Sequence, residues 1–225
     1  DNSKKVTSFL DSSQFIKLHC GHTLFEDSKL QDTTFPLTYI TATRRHAWLE
    51  EAFIPWLSER TGVSIGALAS VKTGLSEIFT NIDDHSRQDI GGTFAQHFPS
   101  RGVVVTALAD FGLGIPALLR ENDHQGTDAE LILKAVEEGF TTKSNPNNRG
   151  AGLDTLIRYI VASLGGKVTI YSGHAIVEFD RGDKILVTSQ VLSDDSFCPG
   201  TLFEITLPAA PEAYPEDEDE GDLEW

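Results

Sequence analysis

A chain of 225 residues, 40% apolar and 23% charged, is long enough for one substantial core and has the composition of a globular protein. Its 34 acids against 18 bases leave a formal net charge of −16, which argues against general binding to nucleic acid or to anionic membrane. With no run of 18 apolar residues, no leader pattern and only Cys20 and Cys198, fibrous, membrane-spanning and disulfide-rich classes are excluded, and a reducing cytoplasmic setting is expected.

Residues 1–35 carry mixed signals: Phe9, Leu10, Phe15, Ile16 and Leu18 fit a strand or a short helix. Leu37–Ile40 reads as a short strand. A helix then follows, with Trp48, Leu49, Ala52, Phe53, Trp56 and Leu57 at helical spacing and Pro55 inside it as a kink or break. A second helix spans about residues 66–84, with Leu68, Val71, Leu75, Ile78, Phe79 and Ile82 as its apolar stripe. Residues 93–98 and 103–109 form a hairpin turning at Arg101-Gly102. Residues 110–150 are rich in Gly, Asn, Asp and Pro, with one helical piece near residues 128–138. A third helix, from about Leu153 to Leu164, stops at Gly165-Gly166. Strands at residues 167–171, 175–179, 184–188 and 201–207 close the pattern. The chain has no Met, even at position 1, so a processed or trimmed start is expected.

Helices and strands grouped this way predict an α/β two-layer sandwich, with helices packed on one face of a mixed, largely antiparallel sheet. The expected divisions are an N-terminal extension at 1–35, a core domain at 36–208 and an acidic, disordered tail at 209–225. Eight of the acids lie between Glu212 and Glu224, so half of the charge excess sits in that tail.

Three stretches carry residue types suited to chemistry. On the second helix Glu77, Asn81 and His85 recur every four residues, with Asp84 three beyond Asn81, so all four fall near one face. An Asn oxygen can ligate a hard cation, and a carboxylate one turn away can accept a proton. A solvated polar face has the same spacing. Asp110-Phe111-Gly112-Leu113-Gly114 follows a strand directly. There a carboxylate and close-approaching backbone can meet a ligand edge, and a plain turn can look alike. Arg149-Gly150-Ala151-Gly152-Leu153 precedes a helix, where exposed N–H groups suit phosphate or simply form a cap. Neither the Walker A nor the dinucleotide pattern is present.

In this order the three stretches resemble the ATPase superfamily that includes gyrase B, Hsp90 chaperones, histidine kinases, MutL and the anti-sigma serine kinases, whose nucleotide site is the Bergerat fold. The resemblance covers residues 36–208. It implies ATP and Mg²⁺ as cofactors. Asn81 would ligate the metal and Glu77 would act as general base, with Asp84 and His85 at matching neighbouring positions. Asp110 would receive the adenine amino group beside Gly112 and Gly114. Phe140-Thr141-Thr142-Lys143 is similar to a lid motif whose Lys approaches phosphate. Arg149, Gly150, Gly152 and Leu153 match the second glycine box, and Thr201 matches a threonine near adenine. Residues 174–195 are expected to be a family-specific elaboration. The expected function is an ATP/Mg-binding regulatory module with weak hydrolysis. A serine/threonine kinase of the anti-sigma type and a non-enzymatic nucleotide-dependent interaction module are the alternatives. A protein partner or a homodimer is expected; a nucleic-acid partner is not. His46 lacks the surroundings of a phosphoacceptor, and no Cys–His spacing signals zinc.

Overall fold

The computed structural model describes residues 2–41, 43–85, 90–137, 152–193 and 195–209. Its sheet has seven strands in the order β1-β2-β3-β7-β4-β5-β6: Thr34–Thr41, Ile90–Phe98, Val103–Asp110, Cys198–Pro208, Lys167–Gly173, Ala175–Asp180 and Leu186–Val191. Every pairing in it is antiparallel, so the expectation of a largely antiparallel sheet holds and the mixed component is corrected. The reason is connectivity. The β2–β3 and β4–β5 hairpins impose antiparallel neighbours, and β7 enters between them in the sense that pairs with both.

Alternation decides which face is covered. Val104, Thr106 and Leu108 of β3, Phe203, Ile205 and Leu207 of β7, Val168 and Ile170 of β4, and Val177 and Phe179 of β5 are all buried on one side. Against them lies the apolar stripe of α5 (Ala69–His85), with Val71, Leu75, Ile78 and Phe79 each at most 3% exposed. α8 (Gly152–Arg158) packs beside it through Leu156 and Ile157. Each such side chain withdraws from water at about 1.5–3 kcal/mol.

The helix expected across Pro55 is a composite. α3 (Arg45–Ala47) leads into a π-helical turn, Trp48–Phe53, and then α4 (Ile54–Thr61). Pro55 has no N–H to give a helical bond, so it sits in the first turn of α4, where none is required. The third helix likewise widens into a π-turn at Tyr159–Ser163. It ends where Gly166 packs so closely on β7 that a Cβ would lie 2.4 Å from the Thr206 carbonyl.

Two features depart from expectation: an additional helix after the Asp110 loop, and N-terminal helices on the second face of a sheet expected to be covered on one. Residues 115–121 form a helix, α6 (Ile115–Glu121), that pattern alone did not signal; Pro116 starts it. α7 (Asp128–Val136) is opened by a capping box between Thr127 and Glu130. The N-terminal segment forms α1 (Asn2–Ser12) and α2 (Phe15–Cys20). They contact the opposite face of the sheet: Phe9 meets Phe94 edge-on, and His19 approaches Tyr39. Among the described residues, helices therefore touch both faces near β1 and β2, and one face elsewhere. Among the described residues no helix is long and apolar enough to cross a membrane.

Candidate functional site

β3 ends in Asp110 beside β7. Asp110 turns its carboxylate onto its own loop, where Oδ1 accepts the Gly112 N–H at 2.8 Å. Phe111 then leans on Tyr39, ring centroids 6.4 Å apart. Gly92 lies beneath both rings, within ordinary contact distance of each. The loop reaches α6 through Gly114, whose φ of 81° only glycine adopts without strain.

Ser172, fully buried at the end of β4, ties this loop to β7. Its hydroxyl accepts the Ile115 N–H at 3.0 Å and donates to the Gly200 carbonyl at 2.7 Å. Thr201 Oγ1 lies 3.2 Å from Ser172 Oγ. The Ser172 proton is committed to a carbonyl, so Thr201 is the donor in that contact and keeps its lone pairs available. The backbones here admit no side chain. A Cβ on Gly200 (φ 75°) would lie 2.3 Å from the Asp110 carbonyl, and one on Gly114 would lie 2.6 Å from the Gly200 carbonyl. Cys198 is close as well: burial, and then the Asp110 carboxylate, push its thiol above its ordinary range.

A second clamp supports the same corner. Asp128 Oδ2 accepts the His174 N–H at 2.7 Å, and its Oδ1 pairs with Arg120 at 2.6 Å. Burial alone would raise the Asp128 pKa; the His174 N–H and Arg120 outweigh it and hold it below the usual value. This ties α7 and α6 to the β4–β5 turn at His174, two residues past Ser172.

The other half of the expected site is carried by helices. Glu77 stands on α5 with its side chain exposed, yet the protein around its carboxyl removes enough water to raise its pKa. One turn earlier, α5 meets α8 at Gly74, where a Cβ would lie 2.5 Å from Leu156 Cβ. The helix bearing Glu77 is thus registered against the helix that begins at Gly152. Leu153, the next residue, is half-buried against the core.

The structure places the loop that carries Asp110, Gly112 and Gly114 beside Thr201 of β7, with Ser172 between them. The side chains of Asn81, Asp84 and His85 lie outside the described residues, although their backbone continues α5; so do Lys143, Arg149 and Gly150 altogether. Sequence reasoning missed Ser172 and Gly200 as site residues. A signal for Ser172 existed: after Val168 and Ile170, a serine occupies the next core-facing position of the strand. Among the described residues no group of three or more His, Cys, Asp or Glu side chains could hold a metal ion.

Comparison with known proteins gives no match: no family model, no curated protein and no solved structure matches this chain.

Proposed function

We propose that this chain is an ATP- and Mg²⁺-binding regulatory module of the Bergerat type, acting in the cytoplasm, with slow turnover of the bound nucleotide. The observation that carries the reading is the meeting of Asp110, Gly114, Ser172, Gly200 and Thr201 where β3, β4 and β7 end together. These residues fit an adenine edge. A carboxylate and a threonine with lone pairs to offer would accept from its amino group, and the close backbone packing of Gly114 and Gly200 would hold both acceptors in place. Exposed Phe111 and Leu113 supply apolar surface beside them.

Glu77 would take the proton from the attacking oxygen. Its raised pKa makes it a better base than an ordinary glutamate. Asn81, Lys143, Arg149, Gly150 and Gly152 are the residues that would face phosphate and metal, with Asp84 and His85 beside them. Mg²⁺ held there would neutralise phosphate charge.

Calorimetric titration with Mg-ATP, followed by a phosphate assay in the same sample, tests the reading. Binding that weakens in Asp110→Asn, with phosphate release lost in Glu77→Gln, supports it. Absence of any adenine-nucleotide binding overturns it. Label transferred to a protein hydroxyl rather than to water would identify a kinase. Binding without turnover would identify a switch.

A further inference from the structure

The two edges of the sheet are built differently. β1 carries Pro36 and a register shift against β2 between Phe35 and Thr38. It is also flanked, with His19 of α2 against Tyr39 and the Trp56 indole donating to Asp32 just before the strand. Each of these features discourages another strand from adding there.

β6 has neither the proline nor the register shift, although α7 lies against it. Its residues, Leu186 to Val191, include no charge and no proline, and its register to β5 runs unbroken from Asp180↔Leu186 to Ala175↔Val191. All six residues are exposed, Val191 to 71%, and among the described residues no strand lies on the outer side. The Leu192 N–H donates inward to the His174 carbonyl at 2.7 Å. By the alternation of an antiparallel ladder, Gln190, Thr188 and Leu186 also bond inward. Val187, Ser189 and Val191 therefore turn their N–H and C=O groups outward.

The sequence along this edge is close to a palindrome: Leu186-Val187-Thr188-Ser189-Gln190-Val191-Leu192. We propose that β6 is a homodimer interface in which the β6 strands of two copies pair antiparallel about a two-fold axis at Ser189. In that register Leu186 faces Leu192, Val187 faces Val191 and Thr188 faces Gln190, so apolar meets apolar and polar meets polar on both faces. The outward groups of Val187, Ser189 and Val191 complete ~6 backbone hydrogen bonds across the axis. A second copy satisfies this pattern because the strand is complementary to itself. The excess acid of the two chains stays off the seam; the first like-charged pair, Asp183 with Asp195, falls at the rim, where salt screens it. This inference is independent of the nucleotide reading.

Sedimentation equilibrium of the parent, Ser189→Pro and Val191→Lys tests it. Proline at 189 removes an outward N–H and leaves the bonds to β5 intact, and lysine at 191 places two charges on the seam. The expected result is a monomer–dimer equilibrium that weakens ~10-fold or more in each variant, with unchanged circular dichroism. In a background with Cys20→Ser and Cys198→Ala, Ser189→Cys should cross-link under mild oxidation. The axis brings its two copies to about 5.5 Å between Cα atoms. Gln190→Cys should not, because it faces Thr188. A parent that stays monomeric up to ~100 μM, dimers indifferent to both seam variants, or equal cross-linking at 189 and 190 would overturn the proposal.

Discussion

The strand-borne and helix-borne halves of the candidate site are held by different means. Asp110, Gly114, Ser172, Gly200 and Thr201 are locked by hydrogen bonds and by backbones in contact. Glu77 is positioned through its helix, which packs its apolar stripe on the sheet and crosses α8 closely at Gly74 and Leu156. Even the carboxylates shift in opposite directions: donors hold Asp128 low beside the strand corner, and lost hydration holds Glu77 high on the helix. A rigid half suits recognition of a flat, unchanging group. A half placed by one helix can shift as α5 and α8 slide.

Gly200→Ala should have the largest effect. It forces a side chain into a left-handed backbone position and against Asp110, at a cost of about 3 kcal/mol or more. A thermal melt should show a midpoint lower by ~6 °C or more. An unchanged melt would mean that the corner is not locked. Gly74→Val should cost about 1–3 kcal/mol by wedging α5 from α8, and should impair turnover more than adenine binding. Equal losses in both would erase the distinction between the halves. Ser172→Ala leaves the Ile115 N–H without its partner, for about 1–3 kcal/mol in urea unfolding, and should weaken nucleotide affinity as well.

Glu77→Gln should change stability by less than about 0.5 kcal/mol, since its side chain is exposed, yet abolish phosphate release. In the parent, the acid limb of turnover should lie above the ordinary glutamate range, because a base with a raised pKa is protonated at higher pH. Asp128 has the reverse sign, and its small effect comes last. Its folded pKa is depressed, so its contribution is present above the unfolded value of about 3.9 and is lost as pH falls through the folded one. Acid unfolding of Asp128→Asn should be less steep there than that of the parent.

Much of this was legible in residue pattern. The stripe of α5, the β2–β3 hairpin and the Asp110 loop follow from periodicity and turn chemistry. The Thr127–Glu130 capping box was readable too, although the helix before it was obscured by a Gly- and Pro-rich stretch that also suits a loop. Local preference could not show that α1 and α2 meet the far side of the sheet, because mixed apolar positions specify burial without a partner.

By itself the sequence determined the layered α/β class, the placement of most helices and strands, and which residue types stand near one another along the chain. Those properties depend on local backbone preference and on burial periods of 3.6 and 2 residues. Tertiary structure alone decided that every strand pairing is antiparallel, that Ser172 joins the Asp110 loop to β7, and that β1 is guarded while, among the described residues, no strand lies outside β6. The physical reason is that these features depend on contacts between segments far apart in the chain. Such contacts are set by how the layers pack, which no local spacing encodes.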